Sequence, residues 1–404
     1  MKILPILLGG DLNCYGMALA FHGIGAPKSF ALGKYRLGVT SFSRFVHPVI
    51  DKRMGSDAGR RAVITEVSGR FPEARPILIG CTDEYASFLS REREALGERF
   101  AVPSPPPALL RYGDKAIFME ECVKRGLPMP KTVFLRDGDP IPQIVPFLYP
   151  AVLKPAVSEE YWRHSFPGIC KVWFPKCADE AEEVRRKIRS SGYRGTLLLQ
   201  ERLSVEDTDN YVLTTYSDRH GRVKAAAFGR VLAEEHTPRG LGNHAAILTE
   251  ALPPISNEII RFLEEIGYRG FANFDFLRHP QNGELYLLEM NLRQGRSNHY
   301  MMAAGLNPAG LIYADLILEE ELSFKSTLPN VLWYSTPLDV LYSRVNDPVL
   351  LAKIQALCLE GRAISPFYER GDIRGNLLRR AYVVEHERRA RRRATRWAAA
   401  EVRA

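Results

Sequence analysis

Residues 271–293 read FANFDFLRHPQNGELYLLEMNLR, and this stretch decides the fold. Two apolar runs flank Asn282-Gly283, a dipeptide that strongly favours a tight hairpin turn. Side chains alternate between the two faces of a strand, so Asp275 faces away from the phenylalanines on either side of it. A turn centred near Asn282 makes Asp275 and Glu289 cross-strand partners, with Cβ atoms roughly 4.5–5.5 Å apart. The pattern therefore predicts a hairpin with two opposed carboxylates.

A divalent metal ion is the natural counter-charge for this carboxylate pair, because two carboxylates at that distance repel each other. Asn291 shares a strand face with Glu289. The oxygen ligands Asp275, Glu289 and Asn291 suit Mg²⁺ or Mn²⁺ rather than zinc. Arg293 follows two residues later and is a candidate to reach a transferring phosphoryl group. The alternative, a pair of acids on a solvent-facing sheet, leaves Asn291, Arg293 and Arg296 unexplained.

Two lysines on predicted strands are candidate phosphate ligands. Lys154 lies near the end of the apolar run 151–155, and Lys171 lies inside a predicted strand over 169–174. Lysines flanked by apolar residues on core strands are unusual unless they face an anion. Residues 165–168 between them form a turn-rich loop suited to cover phosphates, although the Walker pattern is absent. Each lysine alone is interpreted as an exposed strand residue; together with the acidic hairpin they predict a polyphosphate clamp.

The first 105 residues predict a small doubly wound α/β domain. Apolar strands over 3–8 and 76–80 each precede a helical segment, which implies parallel βαβ units with ligand groups at the strand carboxyl ends. Gly10 and Asp11 follow the first strand and are candidate co-substrate residues, although a tight strand-to-helix turn accounts for them equally. No GxGxxG fingerprint accompanies them, which disfavours dinucleotide binding and an oxidoreductase.

Composition is that of an ordinary globular enzyme. The 404 residues are 46% hydrophobic and 25% charged, which excludes overall disorder, and no strict repeat indicates a collagen or coiled coil. No apolar run reaches the roughly 18 residues of a membrane span, and the first apolar run is too short for a signal peptide. The six cysteines are scattered without a CxxC pair, which favours reduced thiols. We therefore expect a cytoplasmic protein.

Positive charge is concentrated at the C-terminus. From Arg379 onward, nine arginines against three glutamates account for six of the eight formal positive charges. Such a cluster can contact nucleic acid or an anionic membrane surface. A solvated helix end, where cations suit the helix dipole, is the simpler interpretation and the one we favour. From Arg388 onward, Trp397 is the one aromatic residue interleaved among the arginines, which disfavours specific nucleic-acid recognition.

The order of these features resembles the ATP-grasp superfamily over about residues 105–325. The matching segments are Asp114-Lys115, the turn 126–130, Val152-Leu153-Lys154-Pro155, Cys170-Lys171-Val172, the adenine-hinge segment Gln200-Glu201-Arg202-Leu203, and Asp275 with Glu289-Met290-Asn291-Leu292-Arg293. The resemblance implies ATP bound between two α+β lobes with Mg²⁺ (or Mn²⁺) as cofactor. It also implies that a carboxylate is activated as an acyl phosphate, which an amine or thiol then attacks.

The resemblance assigns roles to individual positions. The implied nucleotide ligands are Lys115, Lys154, Lys171, Gln200, Glu201, Leu203 and Asp209. The implied metal ligands are Asp275, Glu289 and Asn291. The candidate catalytic residues are Arg293, Lys171 and Arg230, the last on a predicted strand over 222–232. An exposed strand-to-loop transition rich in acids remains the alternative for the segment after Gln200.

Two stretches, residues 5–18 and 235–246, are similar to bacterial D-aspartate ligases. Those enzymes join an amino-acid carboxylate to a lysine side-chain amine in a peptidoglycan precursor. The candidate substrate residues are Gly10, Asp11, His236, Arg239, His244 and Arg296. For the loop that holds the two histidines, a flexible surface loop is the alternative. The arginine-rich C-terminus is not part of this similarity.

We predict an ATP-grasp fold, of mixed α/β and α+β class, in three parts. A doubly wound pre-ATP-grasp domain spans 1–105, the nucleotide-binding and catalytic region spans 106–330, and a mostly helical extension spans 331–404. The predicted function is an ATP-dependent carboxylate–amine ligase acting on small molecules, with D-aspartate and a cell-wall precursor as the narrowest version. Alternatives are a ligase making another peptide or amide, a nonenzymatic ATP-binding regulator, and a nucleic-acid-binding protein using the arginine tail. A homodimer also stays open.

Overall fold

The computed structural model describes residues 2–204, 206–235 and 242–401, the side chains of 396–401 excepted. The N-terminal domain has a four-stranded parallel sheet in the order β3-β2-β1-β4. Its elements are β1 (Ile3–Leu8), α1 (Leu12–Gly23), β2 (Ser29–Gly33), α2 (Gly38–Ser41), β3 (Val46–Ile50), α3 (Asp57–Gly69), β4 (Arg75–Gly80) and α4 (Asp83–Leu96). All six residues of β1 are buried, as expected for a parallel strand covered on both faces.

The carboxyl ends of β1 and β4 lie side by side at the edge where the sequence predicts ligand groups. The Cys81 amide donates to the Leu8 carbonyl at 2.9 Å. Gly9, directly after β1, has φ +139°, and a Cβ added there would lie 2.9 Å from Cys81 Cβ. A residue with a side chain would therefore clash and be strained at this position.

A small lobe follows, built on a three-stranded antiparallel sheet in the order β5-β7-β6. Its elements are α5 (Lys115–Arg125), β5 (Thr132–Leu135), β6 (Val152–Pro155), α6 (Ser158–Arg163), α7 (Ala178–Ser190) and β7 (Leu197–Gln200). Asp114 caps α5 by accepting from the Ala116 amide at 2.8 Å, and Gly126 ends the helix in the left-handed conformation.

The predicted strand over 169–174 is wrong. This segment is a loop, and Trp173 alone pairs with Leu153 as an isolated bridge. Pro167-Gly168 before it and Pro175 after it limit the backbone that can join a ladder. The side chain of Trp173 still packs against the lobe's core. Lys171 therefore reaches the site from a loop rather than from a strand.

The central sheet has eight strands, in the order β12-β11-β8-β9-β10-β14-β15 with β13 beside β9. Its elements are β8 (Asn210–Ser217), β9 (Val223–Glu234), β10 (His244–Glu250), α8 (Ile255–Glu265), β11 (Gly270–Arg278), β12 (Leu285–Asn291), α9 (His299–Ala303), α10 (Pro308–Leu316), β13 (Lys325–Ser326), β14 (Leu332–Tyr334) and β15 (Ala363–Ile364). The predicted hairpin is present as β11 and β12, and Asp275 pairs with Glu289 in register.

The C-terminal part is mostly helical, but it also completes the central sheet through β14 and β15. Its helices are α11 (Leu338–Tyr342), α12 (Pro348–Leu359), α13 (Arg370–Ile373) and α14 (Leu377–Glu401). Helix α14 packs on the N-terminal domain, where the ring of Tyr382 lies against Gly38. Arg389 pairs with Glu385 on the exposed side of the helix. Within the described residues, no helix combines the length and apolarity that a membrane crossing requires.

Candidate active site

Two adjoining cavities, of about 830 Å³ and 270 Å³, run between the N-terminal domain, the small lobe and the hairpin. Residues that line both cavities are Lys115, Ser158, Lys171, Gly242, His244, Asp275 and Glu289. The larger cavity extends toward the ligand edge of the N-terminal domain, and the smaller one toward the end of β7. The predicted metal and phosphate residues thus meet in one cleft.

The hairpin brings its carboxylates together as the sequence predicts. Asn291 Nδ2 donates to Asp275 Oδ2 at 3.1 Å and lies 3.5 Å from Glu289 Oε1. Asn273 Nδ2 donates to Asp275 Oδ1 at 3.3 Å. His244 Nε2, from β10, lies 3.8 Å from the same Asp275 oxygen. The amides of Asn291 and Asn273 fix the orientation of the Asp275 carboxylate.

Three lysines surround Glu289. Lys115 Nζ, from the first turn of α5, lies 2.9 Å from Glu289 Oε2. Lys154 lies on β6, and Lys171 comes from its loop to lie beside Gly242, where an added Cβ would be 3.1 Å from Lys171 Nζ. All three lysines line the smaller cavity. This concentration of positive charge beside a carboxylate pair suits a polyphosphate bound with a metal ion.

The surrounding charges shift the pKa values of the two carboxyl groups in opposite directions. Burial acts to raise the pKa of Glu289, but Lys115, Lys171 and Lys154 outweigh burial and hold that pKa well below its usual value. Burial and the negative charge of Glu289 raise the pKa of Asp275 well above its usual value. Burial, offset in part by Glu289, lowers the pKa of Lys154 to about 8. Of the two carboxyl groups, Asp275 is therefore the more readily protonated.

The donor set fits Mg²⁺. A divalent cation bound here would favour the ionised form of Asp275 and relieve the repulsion between the two carboxylates. Asn291 directs its amide nitrogen toward both carboxylates, so a metal held by all three residues would require the amide to turn its carbonyl oxygen toward the ion. Among the described residues, no group of three or more His, Cys, Asp or Glu side chains forms a metal cluster. Two carboxylates and an amide suit a cation that takes its remaining ligands from phosphates and water.

The predicted adenine hinge lies at the end of β7, and it borders the smaller cavity. Gln200, Glu201 and Leu203 line this cavity together with Lys154. The Gln200 side-chain amide is buried and donates to Thr132 Oγ1 at 2.8 Å. The Glu201 amide donates to the Lys131 carbonyl at 2.9 Å, so a bound base would meet the backbone from Arg202 onward.

Two predicted residues lie away from the lining of the cavities. Asp209 accepts a hydrogen bond from the Ser204 hydroxyl, and the neighbouring acid Asp207 lines the smaller cavity instead. Arg230 Nε donates to the Thr208 carbonyl at 2.6 Å. Neither Asp209 nor Arg230 is among the described residues that line either cavity.

Of the predicted substrate residues that the structure describes, His244 and Arg296 line the larger cavity, whereas Gly10 and Asp11 do not. Arg296 pairs with Glu235 at 2.8 Å and has its Nε 3.9 Å from Asp11. Asp11 also caps α1, and the Gly10 carbonyl accepts from the Thr40 hydroxyl at 2.8 Å, so both also serve the tight turn. Burial lowers the pKa of His244 to about 4. His236 and Arg239 lie outside the described residues.

Sequence analysis missed a buried amide cluster that docks residues 293–298 onto the N-terminal domain. Gln294 Nε2 donates to Asn13 Oδ1 at 3.0 Å and lies 3.3 Å from the Gly80 carbonyl. Asn298 Nδ2 donates to the same Asn13 oxygen at 2.8 Å. No local pattern marks these amides, because their partners lie more than 200 residues away in sequence.

Lys154→Ala is expected to lower kcat/KM for ATP by about 10²-fold, because a partly buried cation that faces the phosphates is lost. Measuring initial rates of ADP release over a range of ATP concentrations checks this. Lys187→Ala, on the exposed face of α7 where Lys187 pairs with Glu183, is the matched control and should behave as wild type. If the two variants had equal activity, the hypothesis that Lys154 binds the nucleotide would be rejected.

Several solved structures share this fold. The biotin carboxylase domain of 2-oxoglutarate carboxylase from Hydrogenobacter thermophilus has a TM-score of 0.57 at 17% identity, covering 82% of this chain and 74% of its own. N5-carboxyaminoimidazole ribonucleotide synthetase from Thermus thermophilus has a TM-score of 0.56 at 18% identity, covering 81% of each chain. Phosphoribosylamine–glycine ligase from Thermotoga maritima has a TM-score of 0.54 at 17% identity, covering 82% and 78%.

These likenesses confirm the predicted ATP-grasp fold. The acid–amide hairpin and its three lysines, taken with the curated relative described next, define the class as an ATP-grasp ligase that forms C–N bonds. No family model matches the chain. A curated relative, the D-aspartate ligase of Enterococcus faecium (strain Aus0004), is 31% identical over 389 residues, which is 91% of each protein. The chain belongs to the D-aspartate ligase family.

Proposed function

We propose that this protein is a Mg²⁺- and ATP-dependent ligase that activates the carboxylate of D-aspartate and joins it to a lysine side-chain amine of a cell-wall precursor. The observation that carries the proposal is the cleft in which Asp275, Glu289 and Asn291 face Lys115, Lys154 and Lys171. Likeness to the E. faecium enzyme over 91% of the chain supports D-aspartate as the substrate. Mn²⁺ has the same ligand preferences and is the alternative metal.

The residues of the cleft divide the work of phosphoryl transfer, which is mostly positioning and charge stabilisation. When bound, Mg²⁺ supplies charge neutralisation at the phosphate oxygens. Glu289 is held ionised by its lysines, and those same lysines are placed to neutralise phosphate oxygens. Arg293 lines the larger cavity and stabilises negative charge on the transferring phosphoryl group, and then on the tetrahedral adduct that the amine forms.

The larger cavity is where we place the substrates. The first turns of α4, which follows β4, form one wall beside the usual ligand edge of a parallel sheet. Arg296 also lines the cavity, and a substrate carboxylate would compete there with Glu235, which lies 2.8 Å from it. The six cysteines are free thiols in the structure, which supports a cytoplasmic enzyme with access to ATP.

D-aspartate is expected to stimulate ADP release in the presence of Mg²⁺, ATP and a lysine-containing muropeptide. The measurement is an ADP-release screen across D- and L-amino acids with and without the amine acceptor, with mass analysis of the product. L-aspartate is the stereochemical control and should give background release. Equal rates with all amino acids would reject D-aspartate, and ADP release without any amide product would reject the ligase.

A further inference from the structure

Asp83 holds Arg293 across the boundary between the N-terminal domain and the hairpin. Asp83 is the first residue of α4, and Arg293 follows β12. Arg293 Nε lies 2.8 Å from Asp83 Oδ1, and Arg293 Nη2 donates to Asp83 Oδ2 at 3.2 Å. One hydrogen bond from Nη2 and a close charge contact at Nε therefore hold the guanidinium from its side.

The backbone beneath this contact is fixed as well. The amide cluster of Asn13, Gln294 and Asn298 anchors residues 293–298 on the carboxyl ends of β1 and β4. All three amides are buried, with at most 3% of their surface exposed. Helix α4 starts from the same edge. The segments that bear Asp83 and Arg293 are therefore packed against each other, which fixes the relative position of the two side chains.

The contact leaves part of Arg293 available to a substrate. A guanidinium has five N–H donors. Nε and Nη2 face Asp83, and Nη1 donates to the Gln294 carbonyl at 3.0 Å. One N–H on each terminal nitrogen remains. Arg293 is 17% exposed and Asp83 is 59% exposed, and both line the larger cavity with Asp275 and Glu289.

We propose that Asp83 is a positioning residue of the ligase reaction, which orients Arg293 so that its two remaining donors meet the charge that develops during acyl transfer. This inference rests on the proposed function, because it assumes that Arg293 acts on a transferring group. Asp83 acts through Arg293. Its loss should therefore lower kcat while leaving the binding of ATP unchanged, since the phosphate lysines are untouched.

The test is a double-mutant cycle on purified full-length protein. Asp83→Asn keeps the size of the side chain and removes its charge, and we expect kcat to fall about tenfold with KM for ATP changed less than about twofold. Asp83→Glu, which restores the carboxylate, should recover part of the rate. Glu92→Gln, also on α4 and paired with Arg61 at 2.8 Å, is the matched control. Thermal unfolding confirms that each variant is folded.

The cycle separates positioning from other roles. In an Arg293→Ala background, Asp83→Asn should cause no further loss, because the residue through which it acts is gone. The inference is overturned if Asp83→Asn matches Glu92→Gln, if it is faster than wild type, or if the two losses multiply. Absence of D-aspartate-dependent ADP release in the wild type rejects the substrate proposal instead. The cycle is then run with the substrate pair that does release ADP, so the two failures are distinguishable.

Discussion

Glu289→Gln is expected to lower kcat for ADP release by about 10³-fold or more, since metal-assisted charge stabilisation supplies several kcal/mol and each 1.36 kcal/mol is tenfold in rate. The amide keeps the shape of Glu289 but removes the charge that attracts Mg²⁺. It also leaves Lys115 without the carboxylate that lies 2.9 Å from it. Initial rates of ADP release at saturating ATP and D-aspartate provide the measurement, repeated over a range of Mg²⁺ concentrations.

The control for this variant lies on the same hairpin. Glu284 is exposed beside the turn and accepts a hydrogen bond from Asn282 at 3.0 Å. Glu284→Gln makes the identical chemical change away from the cleft and should leave kcat unchanged. If Glu289→Gln released ADP as fast as Glu284→Gln, the hairpin could not be the metal site, and the proposed mechanism would be rejected with it.

Arg379→Ala is expected to destabilise the protein by about 3–5 kcal/mol, the usual cost of breaking a buried ion pair from one side. The side chains of Arg379 and Asp372 are both fully buried, and Arg379 Nε lies 3.2 Å from Asp372 Oδ2. Tyr15 donates to the same Asp372 oxygen at 2.8 Å, and Arg379 Nη1 donates to the Val39 carbonyl at 2.8 Å. This network fastens α14 to the N-terminal domain. Urea unfolding measures the loss.

Two further variants identify the cause of that loss. Arg391→Ala, on the exposed side of α14 where Arg391 pairs with Asp339 at 2.8 Å, should change the free energy of unfolding by no more than about 1 kcal/mol. Adding Asp372→Asn to Arg379→Met should recover part of the stability, because no unpaired buried charge then remains. Equal effects of the Arg379 and Arg391 variants would show that the buried pair does not hold the helix.

The C-terminal region shows how position in the fold separates similar residues. From composition alone, the arginines of this region form one cluster, which we interpret as a solvated helix end. Arg389 and Arg391 fit that interpretation, because each pairs with an acid on the exposed side of α14. Arg379 is instead buried, with its guanidinium 4.2 Å from the ring centroid of Tyr15. Packing against a distant domain decides this, and no local pattern reports it.

The hairpin could be predicted in detail because its determinants are local. Asn282-Gly283 sets the turn, and the alternation of side chains then sets the register that pairs Asp275 with Glu289. The strand predicted around Lys171 was wrong. The apolar neighbours of this lysine suggested a strand, yet proline and glycine on both sides keep this backbone out of the ladder. The order of motifs along the chain groups Lys171 with the acidic hairpin, and in the structure it lines both cavities with Asp275 and Glu289.

The sequence by itself determined the class of fold and the acidic hairpin, and it singled out the candidate phosphate lysines, since turn chemistry, alternation and spacing act over a few neighbouring residues. Only the tertiary structure decided which distant groups meet. Asp83 contacts Arg293 from 210 positions away, and Asn13 joins Gln294 from 281 positions away. Such contacts form only when whole domains pack together. They bring into the site side chains that no local sequence pattern marks.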